Sequence, residues 1–121
     1  MSEKRIVYIQ TSGVDTPERT YAPFILAITA VAMGIDATIY FMMKGCTIIK
    51  HGEAEKIKLR GMPPLKNVMN KAIKSGVKLK ICEQSCMLLG LKKEDFIEPT
   101  KIVGAATLND QILDADAVLS F

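Results

Sequence analysis

The segment Ala37-Thr-Ile-Tyr-Phe-Met-Met43 is apolar at nearly every position. A strand that faces water on one side alternates apolar and polar residues; one without alternation is buried on both faces. That points to a parallel sheet sandwiched between helices, and the rest of the chain follows suit. Arg5-Ile-Val-Tyr-Ile-Gln10 is a short β-branched run that ends in the turn Thr11-Ser12-Gly13. Asp15-Thr-Pro-Glu18 looks like a helix start, with the helix running to about Met33 and stopping at Gly34. Pro23 removes a bond to the carbonyl of Arg19, which predicts kinked or separate first turns.

Beyond the central strand, Thr47–Lys50 is predicted as a short helix and 51–61 as a polar loop or small excursion. Pro63-Pro64 then opens a helix over Leu65–Ser75, with Leu65, Val68, Met69, Ala72 and Ile73 on one face and Gly76 at its end. Val77–Ile81 is a third strand, partly exposed because Leu79 sits between two lysines. A helix from Cys82 to Gly90 follows, then a helical turn at 93–96. Lys101–Gly104 is a short fourth strand, Asn109–Asp114 a helix capped by Thr107, and Ala117–Phe121 the last strand. Strand–helix alternation with no hairpin signal forces a parallel α/β sheet with helices on both faces. All 121 residues are expected in one domain, 1–121.

Several function classes fall away. Net charge is +3 with lysines scattered along the chain, so no basic stripe for nucleic acid is present. Tyr21–Met43 is interrupted by Pro23, Gly34 and Asp36, which leaves no membrane span. The polar lead-in Met1-Ser-Glu-Lys-Arg5 has no signal-peptide core. Three cysteines are an odd count suited to a reducing compartment. A cytoplasmic location is expected. The one histidine, His51, lies in a polar stretch and no Ser–His–Asp set is read around it, and the cysteines lack the close pairs of structural zinc. No metal or cofactor is expected.

Chemistry concentrates at Cys82, where a strand stops and a helix starts. Free backbone N–H groups and the helix dipole favour negative charge there, so a thiol ionises more readily. The bland alternative is a small buried hydrophobe. Cys86 lies one turn on, either as packing or as a resolving thiol. Cys46 follows Lys44-Gly45 at the end of the second strand and either faces the same cleft or fills the core. Ligands of parallel sheets gather beyond the carboxyl ends of the strands. Thr11, Ser12, Gly13, Lys44 and Gly45 are therefore the candidate substrate-binding residues, the turn offering N–H groups to an anion.

Taken together, the opening strand with its Thr-Ser-Gly turn, Asp15-Thr-Pro-Glu18, Ile39-Tyr-Phe-Met-Met-Lys-Gly45, Gly76-Val-Lys-Leu-Lys-Ile-Cys82 with Gly90, and Ala115-Asp-Ala-Val-Leu-Ser-Phe121 carry a likeness. The chain resembles the DsrE/DsrF-like (DsrEFH) family of small sulfur-transfer proteins. The resemblance implies a three-layer α/β/α sandwich with a five-stranded parallel sheet of flavodoxin- or Rossmann-like topology, assembled as a trimer or hexamer. It also implies sulfane sulfur held on Cys82 and passed to a partner carrier of the TusA type. Cys86 departs from the best-known relay subunit, which has no second cysteine at that place. Two rival readings remain. One is a non-catalytic oligomeric protein binding a small anion or nucleotide-like ligand. The other is a Cys82/Cys86 thiol–disulfide switch.

Overall fold

The computed structural model describes residues 3–121; Met1 and Ser2 of the polar lead-in lie outside the described residues. Five strands form a single sheet in the order β4-β3-β2-β1-β5, and every pairing is parallel. They are β1 (Arg5–Gln10), β2 (Asp36–Phe41), β3 (Lys78–Cys82), β4 (Lys101–Val103) and β5 (Ala117–Ser120). The chain steps outward from β1 to β4, then jumps across to the far side of β1. Right-handed crossovers place the connections of the outward steps on one face and that of the return jump on the other.

The packing agrees. One face carries the larger core: Tyr8, Ile39, Phe41, Leu79 and Ile81 from the sheet meet Phe24, Ala27, Leu65, Met69 and Ala72 from helices α1 (Ala22–Ala32) and α2 (Leu65–Ser75). Phe24 and Phe41 lie with ring centroids 5.9 Å apart, a tilted aromatic pair. Helix α3 (Glu83–Leu89) buries Cys86 in the same core. The second face holds a smaller cluster of Val7, Tyr40 and Val103, against which Ile9, Leu108 and Ala115 pack. Its helix is α4 (Ala105–Asp114). Helices thus cover both faces, unequally.

Local sequence explains most boundaries. Pro23 sits in the first turn of α1, where its missing N–H costs nothing, and Pro17–Arg19 forms a separate 3-10 turn. Gly76 ends α2 at φ 101°, a left-handed position that favours glycine, and its N–H returns to Ala72 and Ile73. The expected helix at Thr47–Lys50 is instead a 3-10 stretch over Met43–Ile49. Residues 51–61 are not wholly loop, since Ala54 and Ile57 are buried around a 3-10 turn, Ala54–Lys56. The fourth helix starts earlier than a Thr107 cap requires: Gly104 is the N-cap, in extended backbone directly after β4, and Thr107 lies inside α4. Among the described residues, no helix is long and apolar enough to cross a membrane.

Candidate functional site

Cys82 is the last residue of β3 and the extended N-cap of α3 (φ −72°, ψ 119°), at the carboxyl edge of the sheet. Along β3, Leu79 and Ile81 are buried in the larger core, whereas Lys78 is exposed and Lys80 and Cys82 are half-buried. Period-two alternation therefore places Cys82 on the α4 face, with Lys78 and Lys80. Of the three free cysteines it alone is not buried. The helix that follows is seven residues long.

The other two thiols are enclosed. Cys46 is 0% exposed and its Sγ lies 3.4 Å from the carbonyl of Phe41, to which it donates. Burial first, and then charge on Cys86 and Cys82, pushes its thiol up to about 12. A thiol so placed stays protonated, which suits the core-filling alternative and not a place in the cleft. Cys86 is 5% exposed, and burial, followed by charge on Cys82, raises its thiol as well. The three sulfurs lie within electrostatic range of one another, yet only one reaches solvent.

The loops after β1 and β2, on the same edge of the sheet as Cys82, lock together. Val14 N–H donates to Thr47 Oγ1 at 3.1 Å, and Thr47 Oγ1 donates to the Lys44 carbonyl at 2.6 Å. An added Cβ on Gly13 would overlap the Lys44 carbonyl, and one on Gly45 would overlap that of Gln10. The two glycines are thus explained by close backbone approach. The anion cradle expected at Thr11-Ser12-Gly13 is largely spoken for. The N–H groups of Thr11 and Ser12 both donate to the main-chain oxygen of Phe121 (2.7 and 3.3 Å), as does Thr11 Oγ1 (2.9 Å). Lys44 is exposed and paired with Asp15 at 3.0 Å, an interaction that lowers the Asp15 carboxyl.

Four residues at this edge escape a reading by motif. Met43 adopts φ 52°, unusual for a side chain with a Cβ, and is 58% exposed, contrary to a core role. Its N–H donates to the buried Ser85 Oγ at 2.7 Å, tying the β2 loop to α3. Gln10 is fully buried and its Nε2 donates to the carbonyls of Ser12 and Arg19 (2.8 and 3.2 Å), which holds the first turn in place. Tyr40 is 0% exposed and its hydroxyl makes no hydrogen bond among the described residues. Its hydroxyl, in a strand that also carries Thr38, gave no distinct signal in the sequence. Nearby on the same face, burial, then Lys78 and Lys101, lower the Lys80 ammonium. His51 is exposed and remote in role, its N–H donating to the Asp95 carbonyl.

The family model for DsrE/DsrF-like proteins matches residues 4–121. The chain belongs to the DsrE/DsrF-like family. It is 31% identical over 107 residues to the uncharacterized protein MJ0989 of Methanocaldococcus jannaschii, covering 86% of this chain and 88% of that protein. It is 32% identical over 99 residues to the uncharacterized protein MJ0760 of the same organism. That match takes in 82% of this chain and 36% of MJ0760, so the chain spans little more than a third of that relative. Among solved structures, the ychN protein from E. coli superposes with a TM-score of 0.79 at 19% identity, covering 99% of this chain and all of that one. MTH1491 from Methanobacterium thermoautotrophicum gives 0.65 at 11% identity, again over 99% and 100%. These likenesses establish the DsrE-like α/β fold. The family itself is associated with sulfur relay.

Proposed function

We propose that this DsrE/DsrF-like chain is a sulfur carrier that holds sulfane sulfur on Cys82. The supporting observation is that Cys82 alone among the cysteines is accessible, and it stands at the strand ends where parallel sheets bind ligands. The Cys82 thiolate attacks the outer sulfur of a donor such as thiosulfate. A new S–S bond forms, the donor's S–S bond breaks, and its electron pair leaves with sulfite. Attack by an acceptor thiolate on the outer sulfur then returns Cys82 to the thiolate. Cys86, one turn along α3, serves as the resolving thiol in this reading.

In this reading the carrier works in a reducing cytoplasm as a trimer or hexamer and hands sulfur to a TusA-type partner. Exposed apolar side chains support an assembly: Met43, Met87 and Leu88 (83% exposed) beside the site, and Leu113, Val118 and Leu119 at the other edge. Incubation with thiosulfate or polysulfide followed by intact-mass measurement tests the carrier. Wild type should gain one sulfur and Cys82→Ala none. An equal gain in Cys82→Ala would refute the assignment.

A further inference from the structure

The buried hydroxyl of Tyr40 needs an explanation that packing does not supply. Its ring belongs to one cluster with Val7 and Val103. Val7 is on β1 and Val103 on β4, with β2 and β3 between them. Tyr40, on β2, is the member of the cluster that lies between them. On β3, Lys80 is level with Tyr40, and Cys82, on the same face, is level with Val103. Tyr40 and Cys82 therefore lie on one face of adjacent strands, two residues apart in register. The side chains of its cluster, and Ile9, Leu108 and Ala115 packed against it, are apolar and offer the hydroxyl no acceptor. Phenylalanine would pack as well and would avoid the cost of burying an unmatched polar group.

The hydroxyl makes no hydrogen bond, to Cys82 Sγ or to any other acceptor among the described residues. A sulfur added to Cys82 extends about 2 Å beyond Sγ and offers an acceptor that the empty carrier lacks. We propose that Tyr40 is the donor that recognises the outer sulfur of a Cys82 persulfide, stabilising the loaded carrier while leaving the empty one unaffected. This rests on the sulfur-carrier reading above and adds a residue to it. Tyr40 is suited to donate because it keeps its proton: burial, and then charge on Cys82, raise its phenol above the ordinary value. No bond is made or broken by Tyr40 itself; it is a positioning residue for the outer sulfur.

The test compares wild type, Tyr40→Phe and Tyr8→Phe. Tyr8 serves as control because its hydroxyl donates to the Leu26 carbonyl (3.3 Å) and its ring lies in the larger core on the opposite face. Each protein is loaded with polysulfide, and the Cys82 persulfide is followed by intact mass while a small thiol removes it. Iodoacetamide modification of the unloaded Cys82 is timed in parallel. Tyr40→Phe should shorten the persulfide lifetime about tenfold, the effect of one hydrogen bond to a charged group. Its unloaded alkylation rate should match wild type, and Tyr8→Phe should match in both. Equal lifetimes in wild type and Tyr40→Phe would overturn the proposal while leaving the carrier intact. So would an equal change in the unloaded alkylation rate, or a Tyr40→Phe protein that melts well below wild type. A wild type that takes no sulfur on Cys82 would instead remove the carrier reading, and this one with it.

Discussion

Gly45→Ala should be among the most damaging single-methyl additions available to this protein. The Gly45 Cα lies over the carbonyl of Gln10, the last residue of β1, and an added Cβ would overlap that oxygen. The same carbonyl accepts the Met42 N–H at 3.0 Å. Both sides of the collision are backbone, so no side chain can swing aside. The stretch that must move, Met43–Ile49, carries Cys46, Ile48 and Ile49, all fully buried. Overpacking of this kind costs about 1–3 kcal/mol, and loss of the Met42 bond about 1 kcal/mol more. A total near 3 kcal/mol is therefore expected. For 121 residues the unfolding entropy is about 0.25 kcal/mol/K, which converts that cost into a fall in Tm of about 12 °C. Gly34→Ala provides the contrast. Gly34 has φ +78° but nothing within 4 Å of an added Cβ. Only backbone strain applies, about 1 kcal/mol or a fall of roughly 4 °C. Thermal melts followed by circular dichroism at matched concentration measure both. If Gly45→Ala melts within about 3 °C of wild type, or no lower than Gly34→Ala, the steric reasoning is wrong.

Two further outcomes follow from groups around the site. The Cys46 thiol lies near 12 in the folded chain against 9.0 when free. Above pH 9 the unfolded chain therefore sheds this proton first, and folding stability is lost as pH rises from 9 towards 12, with a slope of up to about 1.4 kcal/mol per pH unit. Urea denaturation at pH 8 to 11 should show a steeper loss for wild type than for Cys46→Ala; parallel slopes would count against the burial of this thiol. Ser85→Ala removes the acceptor for Met43 N–H and should cost about 1–2 kcal/mol, seen as a Tm lowered by about 4–8 °C. An unchanged melt would mean that solvent satisfies Met43 equally well.

What the sequence disclosed about this fold was the part governed by short-range rules. Periodicity and a terminal glycine place α2 at Leu65–Ser75, and Pro23 announces the break between the 3-10 turn and α1. The central strand reads as doubly buried because both its faces are apolar. Where the reading slipped, another force decided. Gly104 and two alanines carry no capping signature, so α4 could begin straight after β4 without notice. Met43, read as part of the central strand, lies beyond β2 in a left-handed conformation, its N–H bound to Ser85, forty-two residues away. The turn at Thr11-Ser12 looked free to bind an anion because Phe121, which consumes its donors, is about as far away in sequence as this chain allows. At the site, Cys82 was legible from its place between strand and helix. The enclosure of Cys46 and the solitary hydroxyl of Tyr40 depend on what packs across the sheet, which no local pattern encodes.

The placement of β5 beside β1 has a bearing on how the chain is made. β1 is complete at Gln10 and finds β2 soon afterwards, but its opposite edge is not paired until Ala117–Ser120 arrive. On a ribosome adding about 5–20 residues per second, that edge stays bare for roughly ten seconds. Unpaired strand edges attract other chains. Isolated fragments that stop short of β5 should therefore aggregate, and the newborn chain depends on Ala117–Ser120 to cover that edge of β1 before a neighbour does.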